Sequence, residues 1–458
     1  MSDSFLSDAL RSARDTRSLE LGPGAIEQLA RVFREGFGDR SAVIVADENT
    51  WKAAGEAVAA RLRAGGIRSE PPFIFKDPSL YAEHRFVEEL ESALRPHAAI
   101  PVAVGSGTIN DLTKLASHRT GRPYCCVATA ASMDGYTAYG ASITCEGSKQ
   151  TFFCPAPRVV VADLEILRAA PGEMSAWGYA DLLAKVPAGA DWIVADALGA
   201  EAMNERAWEI VQGRLRESLA GPAAVRAGSL EALGKLTRGL MLGGFAMQWA
   251  QSSRPASGAE HQFSHLWDMQ HHTHQGRTPS HGFKVGIGTL MVTALYEEVL
   301  KHPLERLEVE RGCEAWPALD DLLEQARALL VGKDLVKVAL EETRAKYCER
   351  AELRSQLALL RDIWPGLRER LRQQLLPLAV VREKLQAVGA PTEPEQIGIS
   401  RERLRRTCWQ AFFIRRRFTV LDLAARTGLL KPCLDRIFGP HGVWPILPEN
   451  AASGTRLA

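Results

Sequence analysis

The amino-acid sequence predicts an N-terminal α/β nucleotide-binding domain with a parallel sheet, followed by an all-helical domain. Over about the first 165 residues, short apolar runs alternate with segments of helical length, which is typical of βαβ units. Beyond about residue 170, strand signals nearly vanish and long periodic segments dominate. We therefore place the α/β domain at residues 1–168 and the helical domain at residues 169–458. A cleft between two such domains is a standard place for a ligand.

The elements of the first domain follow from its short β-branched runs and the segments between them. Strands are predicted at residues 41–46, 72–75, 98–104, 124–127 and 159–163, with helices at 51–64, 82–94 and 109–117. In the second domain, periodic segments predict helices at 174–195, 229–251, 281–300 and across 401–438. Residues 304–388 predict two or three amphipathic helices, followed by a linker at 389–394.

Composition and charge argue against several classes of protein. The net charge is +1, from 56 basic and 55 acidic residues, which lacks the basic excess of a nucleic-acid binder. The polar N-terminus does not resemble a signal peptide, and no run of about 18 uncharged apolar residues predicts a membrane span. The eight cysteines form no CxxC pair and are expected to be reduced. We expect a cytoplasmic protein with no nucleic-acid partner and no membrane insertion.

A glycine turn, Gly105-Ser-Gly-Thr-Ile-Asn-Asp111, follows the third predicted strand and opens a helix. Glycines there let backbone amides approach a phosphate, and a helix N-terminus attracts negative charge. The turn departs from GxGxxG at Asn110 and has no P-loop ending, so an anion-binding turn and a plain connection both stay open. Asp47, at the end of the first predicted strand, could accept a hydrogen bond from a ribose, but a helix cap is the favoured interpretation.

Six of the eleven histidines fall between positions 261 and 281. The run from Ser257 to Glu260 predicts a capping box, so that His261 and His265 share one helix face. His281 is predicted at the start of the next long helix. Imidazoles on adjacent helices suit zinc, nickel or iron(II), although a structural role stays open for each histidine. For the loop histidines, a surface or hydrogen-bonded role is favoured, and these are His271, His272 and His274.

A catalytic metal normally needs a third protein ligand and an open coordination position. The obvious donor is a carboxylate that faces inward in the helical domain. Asp181 lies in the otherwise apolar helical run Trp177-Gly-Tyr-Ala-Asp181 and is the candidate.

Six runs carry a resemblance to a known family, and they occur in the order of that family. They are similar to the sn-glycerol-1-phosphate dehydrogenases, which belong with glycerol dehydrogenases, iron-containing alcohol dehydrogenases and dehydroquinate synthases. The likeness covers roughly residues 20–300 and a piece at 418–424, and it leaves residues 304–394 as a divergent helical segment. The runs are GSGTINDLTK (105–114), TAASMDGYTAYGASI (129–143), PAPRVVVADLEILRAAP (155–171), GYADLLAKVPAGADW (178–192), SRPASGAEHQFSHLWDM (253–269) and HGFKVGIGTL (281–290).

The resemblance implies a dehydroquinate-synthase-like fold and a catalytic zinc or nickel ion held by Asp181, His261 and His281. It implies that NAD(P)H binds with its pyrophosphate along the glycine turn and its adenosine end at Asp47. Asp134 would contact the substrate, and Asp181 and His261 would border it. The residues implied for the cofactor are Asp47, Gly105, Ser106, Gly107, Thr108 and Asp111, with Thr129 and Ser132 on the nicotinamide side.

The implied reaction is reduction of dihydroxyacetone phosphate to sn-glycerol 1-phosphate. A metal would act as Lewis acid, and a proton would come from bound water or through His265. Arg254 is a candidate for the substrate phosphate, with capping or a structural ion pair as the alternative. The family suggests lipid biosynthesis and, by analogy, a homodimer.

Three departures from the family pattern keep other functions open. Ser106 stands where a glycine is frequent, Ala138 where a serine is frequent, and Ala180 where a glycine is frequent. Ala138 and Tyr139 leave room for another small polyol or sugar phosphate as substrate. A dehydroquinate-synthase-like cyclase is disfavoured by the aspartate in the first ligand position. A nucleotide-binding regulator without activity is disfavoured by the intact set of candidate ligands.

Overall fold

The computed structural model describes residues 4–145 and 148–446, and it contains a parallel sheet followed by a large helical region. All six strands of the sheet are parallel, in the order β1-β8-β5-β4-β2-β3. A two-stranded antiparallel ribbon, β6–β7, lies beside it. The strands are β1 (Ser18–Gly22), β2 (Ala42–Asp47), β3 (Phe73–Phe75), β4 (Ile100–Gly105), β5 (Cys125–Ala128), β6 (Ala141–Cys145), β7 (Ser148–Phe152) and β8 (Val159–Asp163).

Helices cover both faces of the sheet because its central strands are apolar on both sides. Residues of β2 and β4 alternate between two separate cores: Val43 and Val45 pack on one face, and Ala42 and Ile44 on the other. The helices of this domain are α2 (Leu29–Phe37), α3 (Glu48–Thr50), α4 (Glu56–Ala64), α5 (His84–Leu94), α6 (Gly107–Arg119) and α7 (Leu164–Ala169), and a π-helical turn (Trp51–Gly55) joins α3 to α4.

The helical region begins after α7, and most of its helices share one large core, while α10 and part of α13 pack with the N-terminal helix in a second cluster. The predicted helix at 174–195 is two helices, since Pro187 has no N–H to continue the ladder across their junction at Ala184. The first helices of the helical region are α8 (Gly172–Leu183), α9 (Lys185–Ala197), α10 (Glu205–Gln212), α11 (Leu215–Ser218), α12 (Pro222–Arg226), α13 (Leu230–Ala250), α14 (Ala259–Met269) and α15 (His281–Val299).

Residues 304–388 form five α-helices, more than the two or three predicted. They pack into the same core as α8, α14 and α15, through side chains such as Leu353, Trp364 and Leu385. No helix of the described chain is long and apolar enough to cross a membrane. The remaining helices are α16 (Val309–Ala315), α17 (Leu319–Leu329), α18 (Lys333–Lys346), α19 (Arg350–Gln374), α20 (Leu378–Val388), α21 (Arg401–Phe413), α22 (Val420–Arg426) and α23 (Leu430–Ile437).

The N-terminal segment crosses between the two regions. Helix α1 (Ser4–Ser12) buries Ala9 against α10 and α13 of the helical region, although β1 directly after it joins the sheet. The side chain of Gln248 on α13 anchors the segment after α1 by hydrogen bonds. Its Oε1 accepts from Asp15 N at 3.0 Å, and its Nε2 donates to Thr16 Oγ1 at 2.8 Å. Residues 4–12 thus pack with the helical region, whereas the sequence boundary groups them with the sheet.

Candidate active site

Three helices of the second region meet at the floor of the cleft, and each carries one of the predicted metal ligands. Asp181 lies on α8, His261 on α14 and His281 at the first position of α15. Two glycines of α15 allow this close approach. A Cβ at Gly282 would lie 2.1 Å from the carbonyl oxygen of Trp177, and one at Gly288 would lie 2.5 Å from that of Glu260. Any side chain there would force the helices, and the three candidate ligands, apart.

One donor atom from each of these three side chains lies within 4.8 Å of the others. His261 Nε2 is 3.5 Å from Asp181 Oδ1, and the rings of His261 and His281 have centroids 5.3 Å apart. Asp181 is fully buried, His261 is buried and His281 borders the cleft. Two imidazoles and one carboxylate form a common donor set for a catalytic divalent metal, with space on the cleft side for a further ligand. The residues present therefore fit a metal ion.

A buried lysine joins the candidate ligand Asp181 to Asp134. Lys185 Nζ lies 2.7 Å from Asp181 Oδ1 and 2.7 Å from Asp134 Oδ2, and its side chain is fully buried. Asp134 N also donates to Asp181 Oδ2 at 3.1 Å. Burial opposes ionisation of Asp181, but the Lys185 ammonium and the two histidines outweigh it and hold the pKa of Asp181 well below its usual range.

The other two members of this group respond to the same neighbours. Burial, and then the Asp181 carboxylate, raise the pKa of Asp134 despite the opposing effect of Lys185. Burial would lower the pKa of Lys185, but the two carboxylates outweigh it and raise that pKa. The group therefore favours an ionised Asp181, a charged Lys185 and an Asp134 that is easier to protonate than usual.

Glu260 orients His261 from behind. Its Oε1 lies 2.7 Å from His261 Nδ1 and also accepts from Gly258 N at 2.7 Å. This contact favours the tautomer that carries its proton on Nδ1, which leaves Nε2 to face Asp181. Burial would lower the pKa of His261, but hydrogen bonds to Asp181 and Glu260 outweigh it and raise that pKa.

The predicted capping box at Ser257–Glu260 is wrong in detail. Helix α14 begins at Ala259, and its N-cap residue is Gly258, which has no side chain to cap the helix. Asp191 of α9 performs that task from outside, since its Oδ2 accepts from Ala259 N at 2.7 Å. His261 and His265 nevertheless lie on one helix, with ring centroids 6.3 Å apart.

The cleft between the two regions has a volume of about 650 Å³ and runs from the glycine turn to the histidines. The N-terminus of α6 opens onto it through Gly107 and Thr108, and its N-cap residue, Ser106, makes no side-chain cap. Amides at such an end attract a phosphate. Of the other predicted cofactor residues, Asp111 and Ser132 also line the cleft.

Several of the predicted cofactor residues form hydrogen bonds within the protein. Asp47 closes β2 next to β4, and its Oδ1 caps α3 by accepting from Asn49 N and Thr50 N, both at 2.8 Å. Gly105 O accepts from Thr129 N at 3.1 Å, which joins the ends of β4 and β5. Asp111 Oδ2 accepts from Ser142 N at 3.2 Å. Because the chain leaves β2 and β4 in opposite directions along the sheet, their ends flank a topological switch point.

The structure does not bring Arg254 into the cleft, so the expectation that it contacts a substrate phosphate is corrected. Its side chain is 2% exposed, and Nη2 donates to the carbonyl oxygens of Asp191 and Phe418. Its Nε lies 3.2 Å from Glu201 Oε2. These three groups come from distant parts of the chain, which favours the alternative of a structural ion pair for Arg254. The cleft is instead lined by the guanidinium groups of Arg277 and Arg415.

The loop histidines occupy three different environments. His271 is exposed, His274 borders the cleft, and His272 is buried with its Nε2 2.7 Å from Ile397 O. His265 also borders the cleft, with its ring centroid 6.2 Å from that of His281.

Sequence reasoning missed Lys185 and Glu260. A signal for Lys185 was present: it is the only basic residue in an apolar helical run, four residues after Asp181. Glu260 directly precedes His261, but its apparent role in a capping box concealed its contact with the imidazole.

Comparisons with known proteins identify a family and several relatives. Residues 20–171 match the family model of the iron-containing alcohol dehydrogenases. The chain is 35% identical over 294 residues to the glycerol-1-phosphate dehydrogenase (NAD(P)+) of Halalkalibacterium halodurans, covering 64% of this chain and 73% of that protein. It is 28% identical over 407 residues to the protein of the same name from Geobacillus stearothermophilus, covering 88% and 90% of the two chains. The part of this chain that the second match leaves out is shorter than the segment 304–394. The match therefore includes part of that segment, and the likeness extends further than the six similar runs indicated.

Solved structures share the fold at low identity. A probable glycerol dehydrogenase from Sinorhizobium meliloti has a TM-score of 0.59 at 16% identity, with 91% of this chain and 96% of that chain covered. Glycerol dehydrogenase from Schizosaccharomyces pombe has a TM-score of 0.58 at 15% identity, with 92% and 90% covered. At these identities the likeness concerns the architecture alone, a parallel-sheet domain followed by a helical one.

Proposed function

Because this chain belongs to the glycerol-1-phosphate dehydrogenase family, among the iron-containing alcohol dehydrogenases, we propose that it reduces dihydroxyacetone phosphate to sn-glycerol 1-phosphate with NAD(P)H. The observation that carries the proposal is the group Asp181, His261 and His281 at the floor of a cleft that also receives the N-terminus of α6. A metal-ligand set and a phosphate-attracting helix end on one cleft suit a metal-assisted transfer between a nicotinamide and a small ketone.

In this proposal Asp181, His261 and His281 hold one divalent ion, zinc or nickel. When bound, such an ion would polarise the ketone carbonyl as a Lewis acid. Glu260 holds the His261 ring in place through Nδ1, and Lys185 keeps Asp181 ionised and oriented. A ligand set prepared in this way loses little side-chain freedom when the ion binds.

The cofactor end of the cleft is assigned to the glycine turn. The proposal places the NAD(P)H pyrophosphate at Ser106, Gly107 and Thr108, with Asp47 towards the adenosine and Thr129 and Ser132 towards the nicotinamide. The absence of a side-chain cap on α6 leaves its first amides available for phosphate oxygens. Asp111 would border this site while it anchors β6 through Ser142.

Reduction of a ketone consumes one proton as well as the reducing equivalent of the nicotinamide. We assign Asp134 to the substrate and to that proton, because its pKa is raised and its Oδ2 lies 2.7 Å from the Lys185 ammonium. A proton leaving Asp134 would be replaced from water in the cleft that Asp134 lines, because Lys185 holds its own proton more tightly beside the two carboxylates. His265 borders the same cleft and is the second candidate. The substrate phosphate is assigned to the side of the cleft lined by Arg277 and Arg415.

The test is oxidation of NADH and of NADPH by the purified protein with dihydroxyacetone phosphate, after chelation and after return of zinc or nickel. The expected result is metal-restored oxidation with sn-glycerol 1-phosphate, and not its mirror image, as the product. The variant Asp181→Ala should lose both the bound metal equivalent and turnover. A full metal equivalent with the wild-type rate in that variant would refute the ligand assignment. No oxidation by a protein of verified metal content would refute the substrate.

Two further expectations belong to this proposal by analogy with the family. We expect a homodimer, which sedimentation equilibrium would test, and a cytoplasmic location, which cell fractionation would test.

A further inference from the structure

A second cavity, of about 930 Å³, adjoins the catalytic cleft, with which it shares lining residues. Its walls come from α18, the first turns of α19 and residues 414–418, with residues 199–201 opposite. We call it the arginine pocket, after the basic side chains that line it: Lys346, Arg415, Arg416, Arg417 and Arg426. Part of its wall therefore belongs to residues 304–394, a segment to which the proposed reaction gives no role.

The charges of the arginine pocket are only partly balanced. Three acidic side chains line it, Glu201, Glu342 and Glu352. Arg416 pairs with Glu342, with Nη2 2.6 Å from Oε1, and Lys346 pairs with Asp422 at 3.0 Å. The remaining guanidinium groups leave a positive excess, which favours an anionic ligand.

Two of the arginines have donors that the protein does not satisfy. Arg426 is 8% exposed, and although Nη1 donates to Gln356 and Nη2 to Lys346 O, its buried Nε has no partner. Over residues 4–145 and 148–446, the Arg415 guanidinium forms no hydrogen bond or ion pair. For the buried Arg426 Nε, a donor without an acceptor costs about 1–3 kcal/mol, which a bound anion would offset, whereas Arg415 is only half-buried. Guanidinium forks match phosphate oxygens in particular.

We propose that the arginine pocket binds the phosphate monoester of a small polyol. The arginines would hold the phosphate, and Gln150, Thr151 and Gln356, which also line the cavity, would bind hydroxyl groups. The pocket shares Thr151, His265 and Arg415 with the catalytic cleft. Its ligand is therefore either the far end of a substrate longer than a triose or a separate molecule that contacts the active site through these shared residues.

The test measures binding of ribitol 5-phosphate to the full chain by isothermal titration calorimetry. Ala345 is exposed on α18 and lines the pocket, so Ala345→Glu adds a negative charge without removing a side-chain contact. Ala345→Gln is its neutral control of equal size. We expect the Kd of Ala345→Gln to match the wild type, and that of Ala345→Glu to be at least about five-fold weaker at low salt.

A second titration separates the two sources of the ligand. It is made with NADH and sn-glycerol 1-phosphate present, two molecules that cannot react together and that fill the proposed catalytic site. Binding that is blocked identifies the pocket as the distal part of the substrate site, whereas binding that persists identifies a separate ligand site, and both support the proposal. No binding to the wild type, or equal Kd values for Ala345→Glu and Ala345→Gln, would overturn it. Failure of dihydroxyacetone phosphate reduction is a different result, since it removes the proposed function but leaves these binding data unchanged.

Discussion

Replacement of Lys185 by methionine should make the stability of the protein depend on metal. Lys185 is fully buried and compensates two carboxylates, Asp134 and Asp181, each 2.7 Å from its Nζ. Removing one partner of a buried ion pair costs about 3–5 kcal/mol, because the remaining charge is left uncompensated. At about 2.1 cal/mol/K per residue, a helical region of roughly 290 residues has an unfolding entropy of about 0.6 kcal/mol/K, so the expected loss in melting temperature is roughly 5–8 °C.

A divalent cation bound to Asp181 would supply part of the missing positive charge. The melting temperature of Lys185→Met should therefore rise more on addition of zinc than that of the wild type. Calorimetric melting of both proteins, first with chelator and then with zinc in excess, measures this difference.

Lys346→Met is the matched control. Lys346 is also a buried lysine paired with an aspartate, Asp422, but it lies in the arginine pocket and not at the candidate metal site. Its replacement should lower the melting temperature by a similar amount in chelator and in zinc. The reasoning about Lys185 is refuted if Lys185→Met melts within about 2 °C of the wild type, or if zinc leaves its deficit unchanged.

Three other variants probe the supports of the candidate site. Glu260→Gln should weaken zinc binding by about 10–100-fold in a competition titration, because it removes the carboxylate behind His261, and unchanged affinity would contradict that role. Burial, and then Glu260, raise the pKa of Asp191 to about 7, so the protonated form is favoured in the fold and stability should fall as pH rises from about 4 through 7. By this reasoning Asp191→Asn should lack up to about 4 kcal/mol of that pH dependence in urea unfolding, and parallel pH profiles would argue against it. Gly282→Val should separate α15 from α8 and abolish metal binding, which full metal content would disprove.

The sequence was most informative where chemistry and local periodicity coincide. The ligand candidates His261 and His281 were found because histidines are rare and helix starts have recognisable signals, and the structure brings both next to Asp181. The central strands were predicted because strands covered on both faces are continuous apolar runs. The edge strand β1, with the sequence Ser-Leu-Glu-Leu-Gly, has no such run and is half-buried throughout, so only its pairing with β8 identifies it.

Some features of the site depend on contacts between distant parts of the chain, which local sequence patterns do not predict. Arg254 precedes a proline in a polar run and was a candidate for the substrate phosphate, yet its side chain is buried and donates to carbonyl oxygens of α9 and residue 418. Helical spacing predicts that Lys185 contacts Asp181, four residues before it, but its second partner, Asp134, comes from a distant loop that no spacing rule identifies. The five helices of residues 304–388 were undercounted because their polar faces obscure where one helix ends.

The contact between the N-terminal segment and Gln248 has a consequence for biosynthesis. Asp15 and its partner are 233 positions apart, so the segment that leads into the sheet is translated long before the helix that satisfies it. During that interval α1 has no surface to cover, and Ala9 and its neighbours are exposed to water. Because closing so long a loop is slow, the sheet domain should complete its folding only after α13 has emerged from the ribosome. A nascent chain arrested before residue 230 would then be cleaved by protease at its N-terminal segment, and one arrested well beyond residue 250 would be protected.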